Sequence, residues 1–114
     1  MELLLVLMLV ALLASVAAPV VTNSIQRAKE STLKESLFVL RKAVDDYYSD
    51  NGRYPAALED LVTGRYIRKV PVDPLTESNT TWKLVREKHS EGNIVDIKTG
   101  SPAKAKDGTA YQTW

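Results

Sequence analysis

Glu2 is followed by nineteen residues, Leu3 to Val21, of which none is charged and only Ser15 and Pro19 interrupt the apolar character. A carboxylate at the tip of such a run has one evident chemistry. An ionisable group at a membrane-embedded position is expensive, so it calls for a partner, most simply the free amino terminus of a neighbouring copy of the chain. The other reactive groups offer less. The single histidine, His89, sits in a polar loop without a second ligand of its type, which suits a solvated surface. Asp45 and Asp46 are consecutive on a helical segment, point in different directions and cannot work as a catalytic pair. Cysteine is absent, which excludes thiol catalysis and disulfides. No phosphate loop, zinc helix or nucleophile elbow is present. Tyr47, Tyr48 and Tyr54 read as packing residues, and Asn79-Thr80-Thr81 as a chance match to a glycosylation acceptor. Neither an enzyme nor a resident cofactor is expected.

The element that must position Glu2 is the apolar run itself. Leu3 to Val21 has the length of a membrane-spanning helix. Its twelve Leu and Val residues contribute roughly −4 to −7 kcal/mol to insertion, against at most about 3 for a terminal Glu. The run therefore inserts despite the acid. A secretory signal peptide would also open on an apolar run, with Ser15-Val16-Ala17 as its cut site, but it wants Lys or Arg where Glu2 stands. A plain single-span anchor, with Glu2 in the headgroup region, is the other reading. The charge rule for orientation gives little, since Arg27 and Lys29 follow the span and no cation precedes it.

Residues 25 to 114 form one small domain with a modest core, and residues 1 to 24 form the membrane and assembly half of a helix. The net charge is +1, or +2 beyond residue 24, where all 15 basic and all but one of the 14 acidic residues lie. The signs are interspersed, leaving no nucleic-acid footprint. Past Val21 the pattern becomes periodic: Ile25, Ala28, Leu33, Leu37, Leu40, Val44, Tyr47 and Tyr48 recur at three- and four-residue steps, the mark of an amphipathic helix. Glu30 and Lys34 make a favourable four-residue pair on its polar face. Only Pro19 interrupts the continuity, and a proline that kinks a membrane helix is tolerated. One helix is expected from about Glu2 to Ser49, ended by Asp50-Asn51-Gly52 with Gly52 as a left-handed cap.

A short helix follows, with Pro55 at its first position, Leu58, Leu61 and Val62 inside and Gly64 at its close. Pro71 and Asp73-Pro74 then force an irregular passage. Thr80 to Val85 and Ile94 to Lys98 read as two strands joined by a long polar loop. The remainder, through Tyr111 to Trp114, is either a third edge strand or an ordered tail. So small a sheet needs the apolar stripe of the long helix to pack on. The expected fold is α+β, a lollipop of one long helix carrying a small antiparallel sheet.

These residues resemble a known family. The run with a lone Glu near its start, followed by Leu12-Leu13-Ala14-Ser15-Val16-Ala17-Ala18-Pro19, is similar to the amino-terminal segment of type IV pilins and type II secretion pseudopilins. Tyr47-Tyr48-Ser49-Asp50-Asn51-Gly52-Arg53-Tyr54-Pro55 resembles the phrase that follows the long helix in major pseudopilins, and Val70-Pro71-Val72-Asp73-Pro74 their later proline-aspartate-proline stretch. Asp96-Ile97-Lys98-Thr99-Gly100-Ser101 and Asp107-Gly108-Thr109-Ala110-Tyr111 are similar to the tail of the G-type major subunit.

The resemblance implies a pilin-like fold and a structural subunit of a type II secretion pseudopilus. Such a subunit is held in a bacterial inner membrane by a single span with its globular part in the periplasm. An assembly ATPase and platform extract it into a helical homopolymer that works with other pseudopilins to drive protein export. In that setting Glu2 meets the amino terminus of the adjacent subunit, and Pro19 marks a helix break that loosens in the fibre. The family also implies a precursor with a basic leader, a glycine before the cut and a methylated phenylalanine, none of which this sequence shows. It further implies calcium in the carboxy-terminal loop, for which Asp96, Ser101 and Asp107 are the candidates. Lys98, Lys104 and Lys106 lie among them, and two carboxylates fall short of the six to eight oxygens calcium takes, so no metal is expected. The alternatives are a pilin or minor pilin for adhesion or motility, and a monomeric membrane-tethered or secreted binding domain.

Overall fold

The computed structural model describes residues 2–88 and 92–114, with the side chains of residues 14–22 outside that description. Helix α1 runs from Glu2 to Asn51 and gives the molecule its long dimension of 76 Å. Its second half is fixed by spacing. Leu33, Leu37, Leu40 and Val44 fall on one face and are buried, with the small Ser36 and Ala43 beside them, where neighbouring backbone can come close. The chain leaves the helix at Gly52, whose φ of +70° suits a residue without a side chain and whose N–H reaches the Tyr48 carbonyl at 2.8 Å.

Helix α2 spans Leu58–Thr63, so Pro55 precedes the helix rather than opening it. The reason is visible in the bonding: the Asp60 carboxylate accepts the amides of Ala56 and Ala57 at 3.1 and 3.2 Å, which sets the helix start at Leu58. Pro55 is buried instead, and its carbonyl accepts the Ile94 amide at 2.7 Å. Gly64 caps α2 in an ordinary right-handed conformation, and the left-handed residue is Arg65 at φ 64°. A side chain at 64 would stand 2.8 Å from the Tyr66 ring, so glycine there serves packing.

Strands β1 (Lys83–Arg86) and β2 (Ile94–Lys98) pair antiparallel, with a register shift between Val85 and Arg86. The first strand starts later than its β-forming composition suggests, because Thr80 and Thr81 are drawn into a turn. Asp73 bridges to Ser78, Ser78 Oγ accepts the Thr80 amide at 3.1 Å, and the Thr76 and Thr81 hydroxyls meet at 2.5 Å. Strand β2 lies against α1 and contributes Ile94 and Ile97 to a core completed by Leu58, Leu61, Ile67, Trp82, Ala105 and Tyr111. Two strands alone are marginal, so this contact holds the sheet. Asp73 sits at the centre of the irregular passage, fully buried. Its Oδ2 accepts the Thr99 hydroxyl at 2.6 Å and the Gly100 amide at 3.1 Å, and its Oδ1 accepts the Leu75 amide at 2.9 Å.

The last residues form an ordered tail, not a third strand. Lys104 bridges to Ala110, and a single turn of 3-10 helix spans Tyr111–Thr113. The described residues form an α+β lollipop with a two-stranded head.

Candidate assembly surface

The core of the head, among the described residues, begins on α1 at Leu33 and leaves the first stretch of the helix exposed. The large apolar residues from Leu3 to Leu13 are 55% to 74% exposed, and Glu2 at their tip is exposed as well. This is exposure around the full circumference of the helix, not a stripe facing a partner element. Full burial of a Leu or Val side chain contributes about 1.5–3 kcal/mol, so covering these half-exposed residues is worth roughly 10 kcal/mol to any process that does so. Among the described residues no helix is long and apolar enough to cross a membrane. The side chains of residues 14–22, which continue the run and include Pro19 and the Ser15-Val16-Ala17 segment, lie outside the described residues.

The amphipathic stripe begins later than its period implies. Ile25 is 52% exposed and Ala28 is exposed too, because the core of the head reaches α1 only from Leu33 onward. Between these levels the tail touches α1 through polar groups. Lys106 Nζ donates to Asn23 Oδ1 at 2.9 Å, Gln26 donates to the Tyr111 hydroxyl at 3.4 Å, and that hydroxyl donates to Glu30 at 2.7 Å. Burial pushes the Tyr111 phenol above the ordinary tyrosine value; the Gln26 bond opposes this and the Glu30 carboxylate adds to it. The expected Glu30–Lys34 pair therefore gives way to the tail, since Lys34 sits over the Trp114 ring, 4.8 Å from its centroid.

Arg41, a residue of the polar face by its position in the sequence, is the strongest fastening of the tail. Its Nε donates to Asp96 Oδ1 at 2.8 Å, and one terminal nitrogen donates to the carbonyl of Ile97 at 3.1 Å and to the main-chain oxygen of Trp114 at 2.7 Å. Lys98 Nζ reaches the same Trp114 oxygen at 3.2 Å. Beside it an open groove of ≈ 510 Å³ is lined by Lys34, Leu37, Arg41, Asp107, Thr109, Thr113 and Trp114. With Arg41 about one-third exposed, Arg41→Ala lowers stability by about 1–2 kcal/mol. Hydrogen exchange then rises across residues 109–114 before it rises in Ile94 or Ile97. Arg41→Lys recovers less than half of this, because an ammonium cannot present the planar fork; full recovery by lysine would contradict the assignment.

The calcium candidates do not gather. The Asp96 carboxylate accepts from Arg41 and from the Ile97 amide, with Lys98 Nζ 3.7 Å away. Ser101 is buried, and its hydroxyl oxygen accepts the Ala103 amide at 3.2 Å. Asp107 accepts the Thr109 hydroxyl and amide at 2.6 and 3.0 Å, bonds that hold its carboxyl below the usual range. Each is engaged separately and cations neighbour Asp96, a donor set that does not fit calcium. Among the described residues no group of three His, Asp or Glu is placed to hold a metal ion, and His89 lies outside them. Comparison with known proteins finds no matching family model, no matching characterised protein and no matching solved structure.

Of the assembly residues read from the sequence, the structure describes the side chain of Glu2 and not that of Pro19. Arg41 and Lys106 escaped that reading because their partners, Asp96, Trp114 and Asn23, lie 55 to 83 residues away.

Proposed function

We propose that this chain is a membrane-anchored structural subunit that polymerises through α1, in the manner of the pseudopilins of type II secretion systems. One observation carries the reading. Residues 3–13, which open α1, are exposed around the helix and tipped by a carboxylate, while the core of the head packs on α1 only from Leu33 onward. Such a rod is covered by lipid when single and by copies of itself when assembled. In either setting Glu2 needs a cation, and the amino terminus of an adjacent copy supplies one while fixing the axial step. The single-span, periplasm-facing topology, the extraction platform and the export role follow from the resemblance quoted above, and belong to this proposal.

The test is Glu2→Ala in cells producing the chain together with the matching assembly machinery. Electron microscopy of cells making the parent protein shows fibres; the variant remains in the membrane fraction and yields none, with its head folded as judged by protease resistance. Fibres unchanged in number and length would remove Glu2 from the mechanism, and absence of fibres from the parent would leave the monomeric tethered domain as the better reading. A deletion that strands exported enzymes in the periplasm marks a secretion pseudopilus, whereas one that abolishes surface motility marks a pilus.

A further inference from the structure

The end of the head nearest the apolar run is basic. Lys106 is tied to Asn23, and Asn23 stands only two residues past Val21, about 3 Å along the helix axis. The tail loop that carries Lys104 and Lys106 is thus brought back to the level at which the apolar run ends. Arg27 and Lys29 stand on α1 about 9 to 12 Å past the same point. Two residues apart, about 200° of helix rotation, these two cations leave α1 on different sides. Arg27, Lys104 and Lys106 are exposed and Lys29 is partly so, and none of the four belongs to an ion pair among the described residues. Among the described residues two acids share this end, each keeping its charge while hydrogen-bonded to a neutral donor: Glu30 accepts from Tyr111, and Asp107 caps its own turn through Thr109. Four cations therefore face outward against two engaged carboxylates.

We infer that this collar, Arg27, Lys29, Lys104 and Lys106, seats the head on the anionic phosphates of lipid headgroups before assembly. The inference rests on the membrane-anchor reading. The headgroup layer extends about 5–7 Å beyond the hydrocarbon on each side, and charge is felt over a further ~8–10 Å in physiological salt. An apolar run that inserts up to Val21 carries all four cations into that zone. Lipid fits better than a second copy at the same height, because Glu30 is engaged with Tyr111, Glu35 stands about 9 Å beyond Lys29 along the helix, and Asp45, Asp46 and Asp50 stand more than about 20 Å beyond it. Each cation held at an anionic surface favours the seated state about fivefold. Leaving the membrane for a fibre then requires these contacts to be released, which ties extraction to lipid composition.

The full-length chain reconstituted in vesicles of phosphatidylcholine, or of phosphatidylcholine with about 30% phosphatidylglycerol, tests this. Flotation first establishes insertion, and the initial acetylation rate of each lysine is then read by mass spectrometry. Lys104, Lys106 and Lys29 are expected to react several-fold more slowly in the anionic vesicles, with Lys69 and Lys83 unchanged, and high salt should erase the difference. In Lys104→Gln/Lys106→Gln, whose exposed side chains leave the fold intact, Lys29 should react nearly as in neutral vesicles. Equal rates in both vesicle types for a chain that floats would overturn the collar while leaving the anchor reading standing. Protection that appears in neutral vesicles and grows with protein density would assign the collar to a second copy and overturn it equally. A chain that does not float would overturn the anchor reading itself.

Discussion

Asp73→Ala lowers the stability of the head by about 3–5 kcal/mol, a large share of the 5–15 kcal/mol that holds an ordinary domain together. The carboxylate is fully buried and takes three donors at once, from the Thr99 hydroxyl and the amides of Gly100 and Leu75. Alanine leaves all three without a partner in a space water does not fill, and each such orphan costs about 1–3 kcal/mol. The damage extends along the chain. Asp73 also bridges by its backbone to Ser78, and Thr99 Oγ1 accepts the Ser101 amide at 3.2 Å, so one side chain joins the irregular passage to the start of the tail. Asp73→Asn keeps one accepting oxygen and loses the other, and falls between parent and alanine. Urea unfolding followed through the buried Trp82 measures both. An alanine variant within 1 kcal/mol of the parent, about the value of one ordinary hydrogen bond, would show that the three donors find other partners and that Asp73 is not the joint described.

Gly100→Ala is expected to be nearly as damaging, at about 3 kcal/mol, for a steric reason. A Cβ at position 100 would lie 2.1 Å from the Thr81 carbonyl oxygen, a backbone atom that cannot rotate aside. Thr81 is itself held through its hydroxyl to Thr76 and is followed by buried Trp82, whose indole N–H donates to the Pro71 carbonyl at 2.7 Å. Relief must come from moving the Gly100 segment away, which stretches its amide from Asp73. The two positions share one joint, so the double variant Asp73→Ala/Gly100→Ala loses less than the sum of the single losses. Strict additivity in the same urea measurements would show the clash and the carboxylate to be independent. Gly108→Ala meets no atom within 4 Å, though its φ of +88° disfavours a side chain. It separates the effect of backbone conformation from the effect of contact.

These joints explain which parts of the fold could be read from the sequence. Leu33, Leu37, Leu40 and Val44 were legible because helical period alone decides their face. Gly52 was legible because a left-handed exit suits glycine. Strand β2 was legible in Ile94-Val95-Asp96-Ile97-Lys98, where composition and burial agree. Period cannot reveal where the head stops covering α1, so the three- and four-residue steps run on to Ile25 and Ala28, which stand exposed among the described residues. Asp73 appeared only as half of an Asp-Pro turn signal. Its task is set by Thr99, 26 residues away, and no local pattern announces such a pairing. Arg41 read as one more cation on a solvated face for the same reason. Of the candidate assembly surface, the tip carboxylate and the apolar run were evident in residue type alone, whereas the return of Lys106 to Asn23 emerges only when the chain is folded.

The proportions of the molecule limit how copies can join. Helices in contact stand 8–10 Å apart, while the molecule is 28 × 19 Å across its long axis. A few copies, pressed together through residues 3–13 with their heads splayed outward, can share one height. After that the circle is full, and each newcomer fits only if it is raised or lowered relative to its neighbours. On the proposed assembly through α1, crowding among the broad ends would convert a sideways attraction between narrow ends into a staircase, favouring growth in length over growth in girth.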